Sequence, residues 1–201
     1  MTNEPVWVQL VADLKRQYPD GQWWKQGRVE VCWKNWTITL DQYNVPVGKS
    51  VAAHTRFRAP YVNTDGLRFC VYSRSVFTGL GKVLGLVQDI EIGDEFFDWE
   101  FVIQGNSADK VRAMLRNPGL RAILEAQPYV CFEVKDDEGW FGSKFPDGVD
   151  ELYLVMPGMV ADFERLGLLF QLFATVLHHL NSTGSAAAEN PGIASNSRAV
   201  Y

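Results

Sequence analysis

A chain of 201 residues, 47% hydrophobic and 21% charged, has the composition of a folded globular protein and is long enough to bury a core without staples. Its net charge of −5 offers no overall attraction to phosphate or anionic lipid, so no nucleic-acid partner is expected. Cys32, Cys70 and Cys131 are odd in number, far apart and without CxxC or Cys/His spacing, which argues against a disulfide framework or a zinc finger and for buried, reduced thiols.

The first residues, Met1-Thr2-Asn3-Glu4-Pro5, lack the basic segment and apolar run of a signal peptide. No apolar run approaches the roughly 20 residues of a membrane-spanning helix. A cytoplasmic location is therefore expected. From about residue 4 to 18, Val6, Leu10, Leu14 and Tyr18 recur at four-residue spacing, with Trp7 and Val11 widening the stripe. That period predicts an amphipathic helix, entered at Pro5 and ended by Pro19-Asp20-Gly21.

Alternation then takes over. Val29, Val31 and Trp33 alternate with Arg28, Glu30 and Cys32, and Ile38 and Leu40 with Thr37, Thr39 and Asp41. Two strands joined through Lys34-Asn35 form a predicted hairpin, followed by a loop at 45–48. Strands are predicted at 51–62 and 67–73, and Asn63-Thr64-Asp65-Gly66 between them reads as a second hairpin turn. Pro60 marks its strand as an edge or a bulge. The glycine-rich run 77–85 matches neither GxxxxGK[ST] nor GxGxxG, so it reads as a flexible connection or a short helix and not as a phosphate loop.

Residues 86–105 are the most patterned stretch. Asp89, Glu91, Asp94, Glu95, Asp98 and Glu100 fall there with no cation among them, interleaved with Ile90, Ile92, Trp99, Phe101 and Ile103. Period-two alternation predicts two half-buried strands, broken at Gly93-Asp94, with the carboxylates outward. Between residues 49 and 82 the balance is reversed, with Lys49, Arg56, Arg58, Arg68, Arg74 and Lys82 against Asp65 alone. Opposite charges on facing strands stabilise by roughly 0.2–1 kcal/mol per pair. The expectation is that the acidic strands lie beside the arginine-bearing hairpin.

Ser107 is a natural cap for a helix carrying Val111, Met114 and Leu115. Asn117-Pro118 starts another, with Leu120, Ile123 and Leu124 inward, up to Gln127-Pro128. A strand at 129–134, a turn at 135–139, a loop at 140–148 and a last strand at 151–156 follow. Residues 159–181 form the longest predicted helix, its broad apolar face suited to lie across a sheet. From Ser182 the composition turns to Ser, Ala, Asn and Gly, which reads as a disordered tail over 182–201.

Two segments resemble a known group. Gly85 to Asn106, with Gly85-x-x-x-Asp89-Ile90-x-Ile92-Gly93-Asp94 ahead of Phe97-Asp98-x-x-Phe101, is similar to a segment of an uncharacterised bacterial protein family, and Glu133 to Gly142 is also similar. The resemblance covers about a sixth of the chain. It implies a bacterial cytoplasmic protein and carries over no activity and no catalytic residue.

The fold class that follows is α+β, a single domain over residues 1–181. Its sheet is antiparallel or mixed, in one part or two, with the N- and C-terminal helices packed on it. The leading functional reading is a non-enzymatic binding or protein-interaction module, with a protein or small-molecule partner and no cofactor; its oligomeric state is not read from the sequence. Trp140, Phe141 and Phe145 are its candidate contact residues, with Arg56 and Arg58. The alternative is a small hydrolase or a divalent-metal enzyme using the carboxylates of Asp89 to Glu100, with Asp94, Glu95 and Asp98 as candidate metal ligands. No nucleophile elbow or Cys–His pairing in the sequence supports catalysis, and His178 reads as a helix-end residue where a cation is welcome. If Trp140 and Phe141 contact a partner, replacing both with Ser leaves the melting temperature nearly unchanged. A large fall would show instead that the loop covers the sheet end.

Overall fold

A computed structural model describes residues 5–76, 88–136 and 145–192. Eight strands form one sheet in which every pair is antiparallel: β1 (Arg28–Trp33), β2 (Trp36–Val47), β3 (Ser50–Val62), β4 (Phe69–Ser73), β5 (Gln88–Asp89), β6 (Phe101–Gly105), β7 (Cys131–Lys135) and β8 (Val149–Pro157). Their spatial order is β1-β2-β3-β8-β7-β4-β6-β5. With the helices α1 (Val6–Gln17), α2 (Glu95–Glu100), α3 (Ala108–Leu115), α4 (Pro118–Glu125) and α5 (Phe163–Ser182), the architecture is α+β, as the consecutive strand patterns require. No helix among the described residues is long and apolar enough to cross a membrane.

Alternation in each strand sends one set of side chains under α5. Val29, Leu40, Phe57, Leu154, Phe132, Val71 and Ile103 stand opposite one another from β1 to β6 and are all buried. α5 lays Phe170 and Phe173 on this row: Phe57 meets them at ring-centroid distances of 5.0 and 5.7 Å, and Phe132 meets Phe173 at 5.9 Å. α1 packs on α5 and β1, where Val11 reaches 3.7 Å from the space a Cβ on Gly167 would fill. Trp23, fully buried, donates from Nε1 to the Val160 carbonyl at 2.7 Å and ties the α1–β1 connection to the segment leading into α5.

Several expected elements change on folding. The Lys34-Asn35 hairpin forms, with Lys34 at φ 52°. Residues 45–47, expected as loop, continue β2 and pair with Ser50 to Ala52 across a two-residue turn in which Gly48 sits at φ 60°. The second hairpin does not form, because β8 and β7 lie between β3 and β4. Its Asp-Gly turn is pulled sideways. Asn63 accepts from the Gly66 N–H and donates to Asp150, Asp65 pairs with Lys110 on α3, and Asn106 donates to the Gly66 carbonyl. Pro60 lies in an interior strand, but beyond the last β2–β3 pair, Thr39 with Arg58.

The second acidic strand also begins differently. Residues 95–100 are the helical turn α2, and only Phe101 to Gly105 is strand. Asp94 caps that helix by accepting from the Phe97 N–H, and the Asp98 carboxylate accepts from the N–H groups of Ile92 and Gly93. α5 starts at Phe163, not at 159. Asp162 accepts from the N–H groups of Glu164 and Arg165, while Thr55 Oγ1 holds the preceding segment extended through Gly158 and Val160.

Residues 185–188, expected as part of a tail, are held against the rest of the fold. Ser185 and Ala186 are buried, Ala187 donates to the Val62 carbonyl at 3.0 Å, and Asn35 donates to the Ala188 carbonyl at 2.6 Å. The 77–85 connection lies outside the described residues. Replacing Phe173 with Ala should destabilise the fold by about 3–5 kcal/mol, read as a lower urea midpoint at unchanged slope. A loss under about 1 kcal/mol would show that this ring is not central to the packing.

Candidate functional site

The strand parity that buries the aromatic row places a second row on the other face. Glu30, Thr39, Arg58, Tyr153, Glu133, Cys70, Gln104 and Asp89 stand opposite one another, one from each strand. Beside it runs Arg28, Asp41, Arg56, Val155, Cys131, Tyr72 and Val102. Polar residues in and next to the middle of these rows are closed off from solvent: Asp41 and Arg58, and Glu151 in the adjoining row, are each 2% exposed.

Arg56 and Arg58, expected as contact residues, meet there on one carboxylate. Arg56 donates from Nε and a terminal nitrogen to the two oxygens of Asp41, both at 2.8 Å, and Arg58 donates to Asp41 Oδ2 at 2.7 Å. Glu151 lies 4.0 Å from Arg58, and the Arg56 guanidinium sits 4.6 Å from the Tyr43 ring centre. Burial acts to lower the Arg56 pKa, but the bond to Asp41 and its charge more than reverse that, so the guanidinium stays charged. This buried ionic cluster joins β2, β3 and β8 and leaves Arg58 no exposed surface to offer a partner.

The acidic segment does lie beside part of the predicted basic hairpin, since β6 pairs with β4 and β5 with β6, but the expected ion pairs between the two are not made among the described residues. Among the described residues, the carboxylate partners of Arg56, Arg58 and Arg68 are Asp41, Glu151, Asp136 and Asp150, all outside residues 88–100. Arg74 does reach the acidic segment, but it donates to the backbone carbonyls of Trp99 and Asp98.

The carboxylates proposed as metal ligands, Asp94, Glu95 and Asp98, form no group of converging ligand atoms among the described residues. Asp94 caps α2 and pairs with Arg121 at 3.3 Å, Asp98 is held by two backbone N–H groups, and Glu95 is exposed. Glu91, Glu95, Glu100 and Asp89 have no ion-pair partner among the described residues.

The helical turn has a consequence that strand reading missed. It buries Phe97, stacked on Phe101 at 4.4 Å, and turns Phe96 and Trp99 outward, 62% and 70% exposed. At i and i+3 these rings share one helix face. The available signal was the Gly93-Asp94 break followed by an acidic first turn, which reads as a helix cap. Beside α2 lies a groove of about 490 Å³ whose lining includes Tyr72, Arg74, Asp89, Glu91, Asp98 and Gln104. Trp140 and Phe141 lie outside the described residues, and Phe145 is half-buried, its N–H directed to the Asp136 carbonyl.

The cysteines divide. Cys32 is exposed on β1, against expectation, because that strand's outer face is open; Cys70 and Cys131 are buried on neighbouring strands. Contact with Cys131, together with burial, raises the Cys70 pKa. Glu133, two residues from Cys131, pairs with Lys135 at 3.2 Å, and Lys135 Nζ sits 3.6 Å from the Tyr153 ring centre. Strand parity predicts that Cys131, Glu133 and Lys135 share a face. Only the pairing of β7 with β4 adds Cys70 to it.

Compared with known proteins, the chain matches no family model, no curated protein and no solved structure.

Asp41→Ala should be among the most damaging polar substitutions, because it leaves two guanidiniums short of their shared counter-charge in the sheet. The expected loss is about 3–5 kcal/mol, checked by chemical denaturation. A loss below about 1 kcal/mol would show that water or another side chain replaces the carboxylate.

Proposed function

We propose that the protein is a non-enzymatic interaction module whose contact surface is the acidic, aromatic end of the sheet around α2, and that its partner is a cationic protein segment with apolar side chains. The observation that carries this reading is the outward pair Phe96 and Trp99, 62% and 70% exposed, on a helix whose neighbour Phe97 supplies the packing. Large exposed rings mark binding surfaces more often than they serve stability. The charge around them gives the sign of the partner. Glu91 and Glu95 are exposed and lack ion partners among the described residues, and Asp89 faces the adjacent groove. Arg74, the cation lining that groove, is directed to backbone carbonyls of α2, so it forms no ion pair with those carboxylates. A lysine- or arginine-bearing segment that also carries leucine or an aromatic would match both features.

The experiment is a calorimetric titration of the full chain with a synthetic peptide alternating Lys and Leu, beside one alternating Glu and Leu. The expected result is binding of the cationic peptide alone, weakening as salt rises. Phe96→Ser with Trp99→Ser should reduce the affinity about tenfold, or ~1.4 kcal/mol, while leaving the melting temperature close to that of the parent chain. Equal binding by parent and double variant would overturn the reading.

A further inference from the structure

The two buried cysteines lie outside the surface just described. They stand on β4 and β7, which are neighbours in the middle of the sheet. Cys70 is opposite Glu133, and Cys131 opposite Tyr72, so both thiols project to the polar face and not into the aromatic core. The Sγ atoms of Cys70 and Cys131 and a carboxylate oxygen of Glu133 all lie within 4.8 Å of one another, with Cys131 Sγ 3.9 Å from Glu133 Oε1. It is the one such group of ligand atoms among the described residues.

We propose that Cys70, Cys131 and Glu133 form a binding site for a thiolate-preferring metal ion, with Zn(II) as the reference occupant. Zinc bonds of about 2.3 Å to sulfur and about 2.0–2.2 Å to oxygen place tetrahedral ligands roughly 3.4–3.8 Å apart. The three atoms therefore need to close by no more than about 1 Å, within reach of side-chain rotation on fixed strands. Two sulfurs select zinc, cadmium or copper(I) over calcium or magnesium, which require oxygen ligands. Binding replaces the two thiol protons with the metal and releases them to solvent. Two thiolates and a carboxylate beside Lys135 leave a net charge that a divalent cation cancels. Lys135 Nζ lies 3.2 Å from Glu133 Oε1, the same oxygen that faces Cys131, and fixes the carboxylate beside the thiols. Three protein ligands leave the fourth position to water or to a small ligand.

The test uses the full chain, reduced and metal-free, titrated with Zn(II) for thermal stability and with Cd(II) for thiolate-to-metal absorption. The expected result is one equivalent bound, a raised melting temperature, a thiolate–cadmium band, and no shift with Mg(II) or Ca(II). Cys131→Ser should abolish the band, Glu133→Gln should weaken binding at least tenfold, and Cys32→Ser should change neither. Should the serine variant not fold, the parent chain still decides. Labelling with a maleimide in mild urea, read residue by residue by mass spectrometry, should be slowed by zinc at Cys70 and Cys131 and unchanged at Cys32. No band in the folded parent chain, or equal labelling with and without zinc, would overturn the proposal.

Discussion

Asp41 holds two guanidiniums in the interior of the sheet, and most of the molecule is arranged so that it can. A charge is costly to bury unless it is paired and hydrogen-bonded. Here the pairing draws on adjacent strands, with Asp41 on β2, Arg56 and Arg58 on β3, and Glu151 on β8. The cluster therefore fixes register as well as stability. A slip of one residue along β3 would drive both arginines into the space under α5 and carry Phe57 out of it.

The opposite face reads the same alternation in apolar terms, and the two rows are consequences of one pleat. This is why the strands were legible in the sequence while their neighbours were not. Val29, Val31, Ile38, Leu40 and Phe57 announce an inward face by period alone. No pattern within β3 or β4 announces that the strands between them come from residues 131–157. The Asp-Gly pair at 65–66 is a sound hairpin signal by local chemistry. It fails because Asp65 is bound to Lys110 on α3 and to Ser185 in the C-terminal segment, Asn63 donates to Asp150 on β8, and Asn106 donates to the Gly66 carbonyl.

The acidic stretch shows the other limit. Alternation from Asp98 to Gln104 is compatible with a strand, but the capping bonds of Asp94 and Asp98 hold residues 95–100 as a short helix. The difference moves Trp99 from the expected inward face to the surface, where it stands with Phe96 among the carboxylates. The C-terminal segment errs in the opposite direction. Ser185 and Ala186 carry little apolar surface, so composition alone assigns them to a tail, whereas backbone hydrogen bonds to the end of β3 hold them in place. Composition reports what side chains can bury. It is silent on where backbone groups find partners.

The position of β7 and β8 between β3 and β4 also bears on how the chain folds. β1, β2 and β3 are contiguous in sequence and can pair early, but the edge that β3 presents to β8 stays open until residues 149–157 have been synthesised. Until then Arg58 lacks one of its two carboxylate neighbours, and the aromatic row lacks the helix that covers it. Long-range pairing of this kind slows folding and prolongs exposure of an apolar, unpaired strand edge. Residues 149–182 thus act as the closing step of assembly. A chain cut short before β8 would present an open sheet edge, prone to self-association, in place of a smaller folded domain.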